Sequence, residues 1–111
     1  MTIKEFARRY TLHDSLVKKI EYDHPSKTLY MTVDFCWFMQ DEYDERSPMP
    51  DIVQLVFSDV SAYDGLQGEI DDFSILWLES DENQITIALL DDFHDKLHQL
   101  RFQAENVSLT V

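Results

Sequence analysis

Thr28-Leu29-Tyr30-Met31-Thr32-Val33-Asp34-Phe35-Cys36-Trp37-Phe38-Met39 is the stretch on which the fold turns. Leu29, Met31, Val33, Phe35, Trp37 and Met39 alternate with Tyr30, Thr32, Asp34, Cys36, Phe38 and Gln40. A strand sends successive side chains to opposite faces, so a period of two sustained over this length marks a β-strand with one apolar face. The first set is expected in the core. The second set is half apolar through Tyr30, Cys36 and Phe38, which leaves a face for the N-terminal helix or for a second copy in a homodimer.

Upstream, residues 15–22 are a second run of strand formers, and His24-Pro25-Ser26-Lys27 between the two runs is turn chemistry, so the pair reads as a hairpin. Before it, residues 3–10 spell a short helix, with Thr2 as N-cap, Glu5 at the capping-box position and Ile3, Phe6 and Tyr10 on one side.

Downstream, residues 40–51 combine carboxylates with two prolines and carry no apolar period, which predicts a solvated loop. Residues 52–60 form a third strand, with Val53, Leu55 and Phe57 on one face. Residues 61–68 read as a loop holding the chain's only glycines, Gly65 and Gly68, where positive φ is expected. Residues 70–79 and 84–90 form a hairpin through Ser80-Asp81-Glu82-Asn83, with Phe73, Ile75 and Trp77 on the face that meets Ile85, Ile87 and Leu89. Leu100, Phe102 and Ala104 set the face of a strand over 97–104, and 107–111 supplies a short edge strand.

These connections are too short for βαβ crossovers. The expected fold is therefore mainly β: one domain over residues 1–111, with about six antiparallel strands in a curled sheet, half-barrel or small sandwich, plus one short N-terminal helix. The composition agrees, since 44% apolar with 28% charged residues is the balance of a globular chain.

A single cysteine, Cys36, allows no intrachain disulfide. The N-terminus lacks the apolar run of a signal peptide, and no stretch approaches the length of a membrane span. A cytoplasmic protein is expected. The net charge of −13 is concentrated in residues 34–95, which carry seventeen acidic side chains and one basic, Arg46. Such a field repels nucleic-acid phosphates and anionic lipid, so neither nucleic acid nor membrane is an expected partner; a basic protein or a divalent cation is compatible with it. Acid that merely keeps the protein soluble would leave the same composition.

Three constellations bear on chemistry. His13-Asp14-Ser15 holds the residue types of a hydrolase triad, yet consecutive residues cannot converge as a triad must, and Asp14 with Ser15 is better read as capping a turn into the first strand. Asp71-Asp72 precedes one strand of the 70–90 hairpin and Asp91-Asp92, with His94, follows the other. The register would then gather Asp71, Asp72, Asp91, Asp92 and His94 at one rim, able to hold a divalent cation or to raise one carboxyl as an acid. His94 and His98 share a face only on a helix, and on a strand they lie about 13 Å apart, so zinc is not expected. Gly65 and Gly68 make no phosphate loop, Cys36 reads as a small buried hydrophobe, and no cofactor is expected.

Leu12-His13-Asp14-Ser15-Leu16-Val17, with Gly65-Leu66-Gln67-Gly68-Glu69-Ile70-Asp71-Asp72-Phe73 further on, resembles small uncharacterised bacterial proteins that carry a His-Asp-Ser lead-in to the first strand. Some similar families are placed among the immunity proteins of polymorphic toxin systems. The resemblance covers most of the chain in layout and carries over no catalytic residue. It implies a non-enzymatic binding role, in which an acidic surface covers a basic protein and aromatic side chains anchor it. The partner-binding residues expected on this reading are Trp37, Asp41, Glu42, Tyr43, Asp44, Glu45 and Tyr63. The alternative is a metal-assisted or carboxylate-based hydrolase at the Asp71, Asp72, Asp91, Asp92 and His94 rim.

Overall fold

The computed structural model describes residues 1–36 and 52–110. Along them run α1 (Ile3–Arg9) and eight strands: β1 (Leu16–Asp23), β2 (Thr28–Asp34), β3 (Ile52–Ser58), β4 (Ser61–Asp64), β5 (Gly68–Asp81), β6 (Gln84–Asp91), β7 (Lys96–Gln103) and β8 (Asn106–Thr110). All described ladders are antiparallel and form one sheet in the order β4-β7-β6-β5-β1-β2-β3-β8. The mainly β expectation is met, with more strands than expected. Residues 61–64, read as loop, pair with β7 as β4, with Ser61 opposite Gln103.

Two short connections show that this sheet is rolled. β7 and β8 stand second and eighth in the order. Laid flat they would lie about 29 Å apart at ~4.8 Å per strand. Ala104-Glu105 between them reaches no more than about 11 Å. Asp59-Val60, which joins β3 to β4, faces the same demand. The two kinks coincide: Ser58 lies opposite Asn106 on one side and Ser61 opposite Gln103 on the other, and the Glu105 N–H donates to the Ser58 carbonyl at 3.3 Å. Residues 52–64 and 96–110 are thus one bent antiparallel ribbon shared by both halves of the sheet, a strand corner of the kind that turns a sheet through a large angle. Asp59 occupies positive φ, 53°, at the bend. The roll stops short of a closed barrel, because β4 and β8 are not ladder partners.

β5 makes the opposite corner. Its first half pairs with β1 and its second half with β6, with Ser74 meeting both Leu16 and Leu90. Between the pairs Val17–Phe73 and Lys19–Glu69, three residues of β5 (Ile70, Asp71 and Asp72) face only Lys18, so the strand bulges and bends there. Asp72 sits at φ 55° within it.

Rolling brings the alternating apolar faces together. Leu29, Met31 and Val33 of β2 are fully buried, as are Leu55 and Phe57 of β3, Ile85, Ile87 and Leu89 of β6, and Leu100 of β7. Phe57 and Phe102, five places apart in the strand order, meet edge to face with ring centroids 5.0 Å apart. Truncating a buried phenylalanine such as either of these costs about 3–5 kcal/mol. The helix closes one mouth of the roll by burying Ile3 and Phe6, and it packs on both β5 and β8. Its N-cap is as the sequence predicts, with the Thr2 hydroxyl accepting the Glu5 N–H at 3.2 Å.

One face assignment changes. The sequence places Phe73, Ile75 and Trp77 together, but the β5–β6 register shifts between Ile75 and Trp77. Leu76 is the extra residue. Ile75 stays buried opposite Leu89, whereas Trp77 lies opposite Ala88 on the outer face and is 40% exposed. An inserted residue reverses the face of everything beyond it, which a strict period of two cannot register.

Candidate partner-binding site

The site begins with the lead-in to β1. Ser15 is fully buried; its hydroxyl accepts the Cys36 N–H at 2.9 Å, and its own N–H donates to the Leu12 carbonyl at 3.0 Å. Asp14 takes φ 69°, and its N–H donates to the Ile75 carbonyl at 3.1 Å while the Ile75 N–H donates to the Ser15 carbonyl at 2.8 Å. His13 then reaches the bulge: its Nδ1 lies 2.9 Å from the Leu76 carbonyl oxygen. A carbonyl only accepts, so Nδ1 is the donor. His13-Asp14-Ser15 is therefore a clamp that sews the start of β1 to the bulge of β5, and the hydroxyl of Ser15 is committed to a backbone amide.

Past this clamp the chain departs from β5 into the helix, and a cleft opens between them. It has a volume of about 250 Å³; Phe6, Tyr10, Leu12 and His13 line one wall and Leu76, Trp77 and Leu78 the other. Trp77 forms its lip. Beyond the cleft, Trp77, Glu79 and Asp81 stand opposite Ala88, Thr86 and Gln84, so all three point to the outer face in a column. Glu79 and Asp81, with Gln84 and Thr86, edge a second, shallow depression. Apolar contact and negative charge thus follow one another along a single strand. Farther across the same face Leu97, 56% exposed, lies opposite Leu90, and Phe93 at the tip of the β6–β7 turn is 88% exposed.

No family model, curated protein or solved structure matches this chain. The site is accordingly read from its own geometry.

The carboxylate rim is not assembled as the hairpin register suggests. Asp72 turns to β1, where its carboxylate lies 2.6 Å from the Lys18 ammonium, and that hydrogen bond raises the lysine pKa above its ordinary value. Asp92 accepts from the Ser74 hydroxyl at 2.9 Å. Asp91 is buried and accepts both the His94 backbone N–H, at 3.1 Å, and His94 Nδ1, at 2.7 Å. Asp71 is exposed on the β5 bulge. Among the described residues no group of three or more His, Cys, Asp and Glu side chains is placed to hold a metal ion. The bulge is the reason, since it spends Asp72 on Lys18 where a regular strand would have carried it toward Asp92.

Of the expected partner-binding residues, Trp37, Asp41, Glu42, Tyr43, Asp44 and Glu45 lie outside the described residues, as does Phe38 of the expected half-apolar set. Tyr63 is within them. Its ring packs on Tyr22 and Phe102, with centroids 5.2 and 5.9 Å away, and its hydroxyl donates to the Leu66 carbonyl. Burial, with the Asp64 carboxylate nearby, pushes its pKa well up. Tyr63 is thus held in the wall of the core. Sequence reasoning missed Trp77 as a surface residue, and the one local signal, an apolar Ile75-Leu76-Trp77-Leu78 run inside an alternating strand, does not say which residue is extra.

Proposed function

We propose that the chain is a non-enzymatic binding module that takes a basic protein partner in the reducing cytoplasm, in the manner of an immunity protein covering a toxin. The observation that carries this reading is Trp77: the bulge holds it half-exposed at the lip of an apolar cleft, with Glu79 and Asp81 next to it on a molecule of net charge −13. Partly buried tryptophans flanked by polar residues are the side chains on which protein interfaces concentrate their energy. The surrounding negative field steers cationic partners and repels anionic ones. A single cysteine, Cys36, in the whole sequence and the lack of a helix long and apolar enough to cross a membrane, among the described residues, are compatible with this setting. The hydrolase alternative has less support, because the carboxylates it needs are divided among Lys18, Ser74 and His94.

The test is selection of a displayed random-peptide library on the immobilised protein, with the Trp77→Ala variant as counter-bait. Lys and Arg together with large apolar residues should be enriched, and the enrichment should disappear on Trp77→Ala and at high salt. Selected peptides with no excess of basic residues would overturn the reading.

A further inference from the structure

β5 stands between β6 and β1 in the strand order, which would make it an interior strand throughout its length. It is one only in part. β1 pairs with it over residues 68–74, and the His13-Asp14-Ser15 clamp extends the contact to Leu76. From 77 to 81 its only ladder partner among the described residues is β6. The other flank of Trp77 and Leu78 borders the cleft, whose far wall is the helix and the link 10–13. Among the described residues the sheet therefore has a short strand edge in its middle, at the point where one half of the rolled sheet parts from the other.

We propose, resting on the binding-module reading above, that this edge takes up an extended segment of the basic partner by strand addition alongside residues 77–81. Main-chain hydrogen bonds to an open edge supply affinity without regard to sequence, and alternate side chains supply the specificity. The outer column defines the alternation. Trp77, Glu79 and Asp81 recur every second residue and span about 13 Å. A segment with an apolar side chain beside Trp77 and basic side chains two and four residues away matches that column at each position.

The same column disfavours pairing of this edge with that of a second copy of the chain. Two such edges would place Glu79 and Asp81 of each molecule against those of the other, on bodies that each carry a net charge of −13. Like charges aligned across a strand pair are destabilising, and charge on an open edge is a common protection against self-pairing. A cationic strand meets attraction at the same positions.

Two synthetic peptides of one composition test this: acetyl-Thr-Lys-Thr-Lys-Thr-Leu-Thr-amide, in which both lysines and the leucine share a face, and its isomer acetyl-Thr-Thr-Lys-Lys-Leu-Thr-Thr-amide, in which they do not. Binding is followed by tryptophan emission in the Trp37→Phe protein, so that Trp77 alone reports, and by amide hydrogen exchange. The alternating peptide should bind about tenfold more tightly than the isomer, a difference of about 1.4 kcal/mol. It should slow exchange within residues 77–81 and lose its advantage on Glu79→Lys, an exposed substitution whose fold is verified by an unchanged melt. Equal binding of the two isomers, or exchange within 77–81 that is already slow in the free protein or becomes slow on raising protein concentration alone, would overturn strand addition. If library selection nevertheless enriches basic peptides, the binding-module reading survives that outcome; if it does not, both fall.

Discussion

His13 Nδ1 lies 2.9 Å from the carbonyl oxygen of Leu76, sixty-three residues away in the chain, and so fastens the lead-in of the first strand to the bulge that turns Trp77 outward. The bond is at the surface, where water can replace it, so its contribution is modest, about 0.5–1.5 kcal/mol. His13→Ala should lower the urea midpoint accordingly and shift Trp77 emission in the Trp37→Phe background. His13→Asn, whose amide nitrogen can donate from nearly the same place, should restore most of both. An emission spectrum unmoved by His13→Ala would show that the bulge holds Trp77 unaided.

Ser15 is the buried half of the same clamp. Replacing it by alanine takes the hydroxyl acceptor from the Cys36 N–H, in a bond whose serine end is fully buried. The expected cost is about 1–3 kcal/mol, larger than for His13 because this bond is part-buried where that of His13 is exposed. Chemical denaturation of the two alanine variants side by side checks the order.

The two glycines fail differently when given a side chain. A Cβ on Gly65 would meet Leu100 Cδ2 at 2.5 Å and the Leu100 Cα at 3.3 Å, whereas at Gly68 there is open space but φ is +99°. Gly65→Ala is a packing clash of about 1–3 kcal/mol. Gly68→Ala forces an L residue into a region that suits glycine. Leu100→Ala should therefore relieve part of the first and none of the second, a coupling that a double-mutant cycle on thermal stability reads directly.

Asp91 gives the acid limb of stability a defined sign. Burial alone would raise its carboxyl, but the His94 ring and the backbone N–H groups of His94 and Phe93 more than offset this and hold it below the usual carboxylate range. A carboxyl depressed in the folded state stabilises above its unfolded pKa, and the contribution is lost as pH falls through the folded value. Wild type should lose stability on acidification below about pH 4 more steeply than Asp91→Asn does. Denaturation midpoints taken from neutral to acid pH test it; parallel curves would remove Asp91 from the account.

The fold was legible where side chains alternate without interruption. Leu29, Met31 and Val33, or Ile85, Ile87 and Leu89, announce their strands and their inner faces, and the Thr2 and Glu5 pair announces the helix. What escaped lies where backbone geometry breaks the alternation. Leu76 as the extra residue, Asp72 turned by its bulge to Lys18, and Ser61–Asp64 joined to the sheet past the Asp59-Val60 kink depend on partners far along the chain. No local pattern encodes them. The candidate site was correspondingly hidden: its central tryptophan looks like core by period, and the carboxylates that looked like a cluster are separated by the bulge.

The bent ribbon of residues 52–64 and 96–110 also bears on how the molecule comes together. The β1–β2, β5–β6 and β6–β7 pairs close over short turns and can form early. The ribbon joins segments that bracket the whole β5–β6 hairpin, and it can zip up only once that intervening chain is in place. Its closure, like that of the β1–β5 ladder, carries a large loop-entropy cost, and kinetics in the millisecond-to-second range of non-local β proteins are the natural consequence. Substitutions at the Asp59-Val60 and Ala104-Glu105 corner would then act chiefly on the speed of the last rolling step, leaving the local hairpins to form at their own pace.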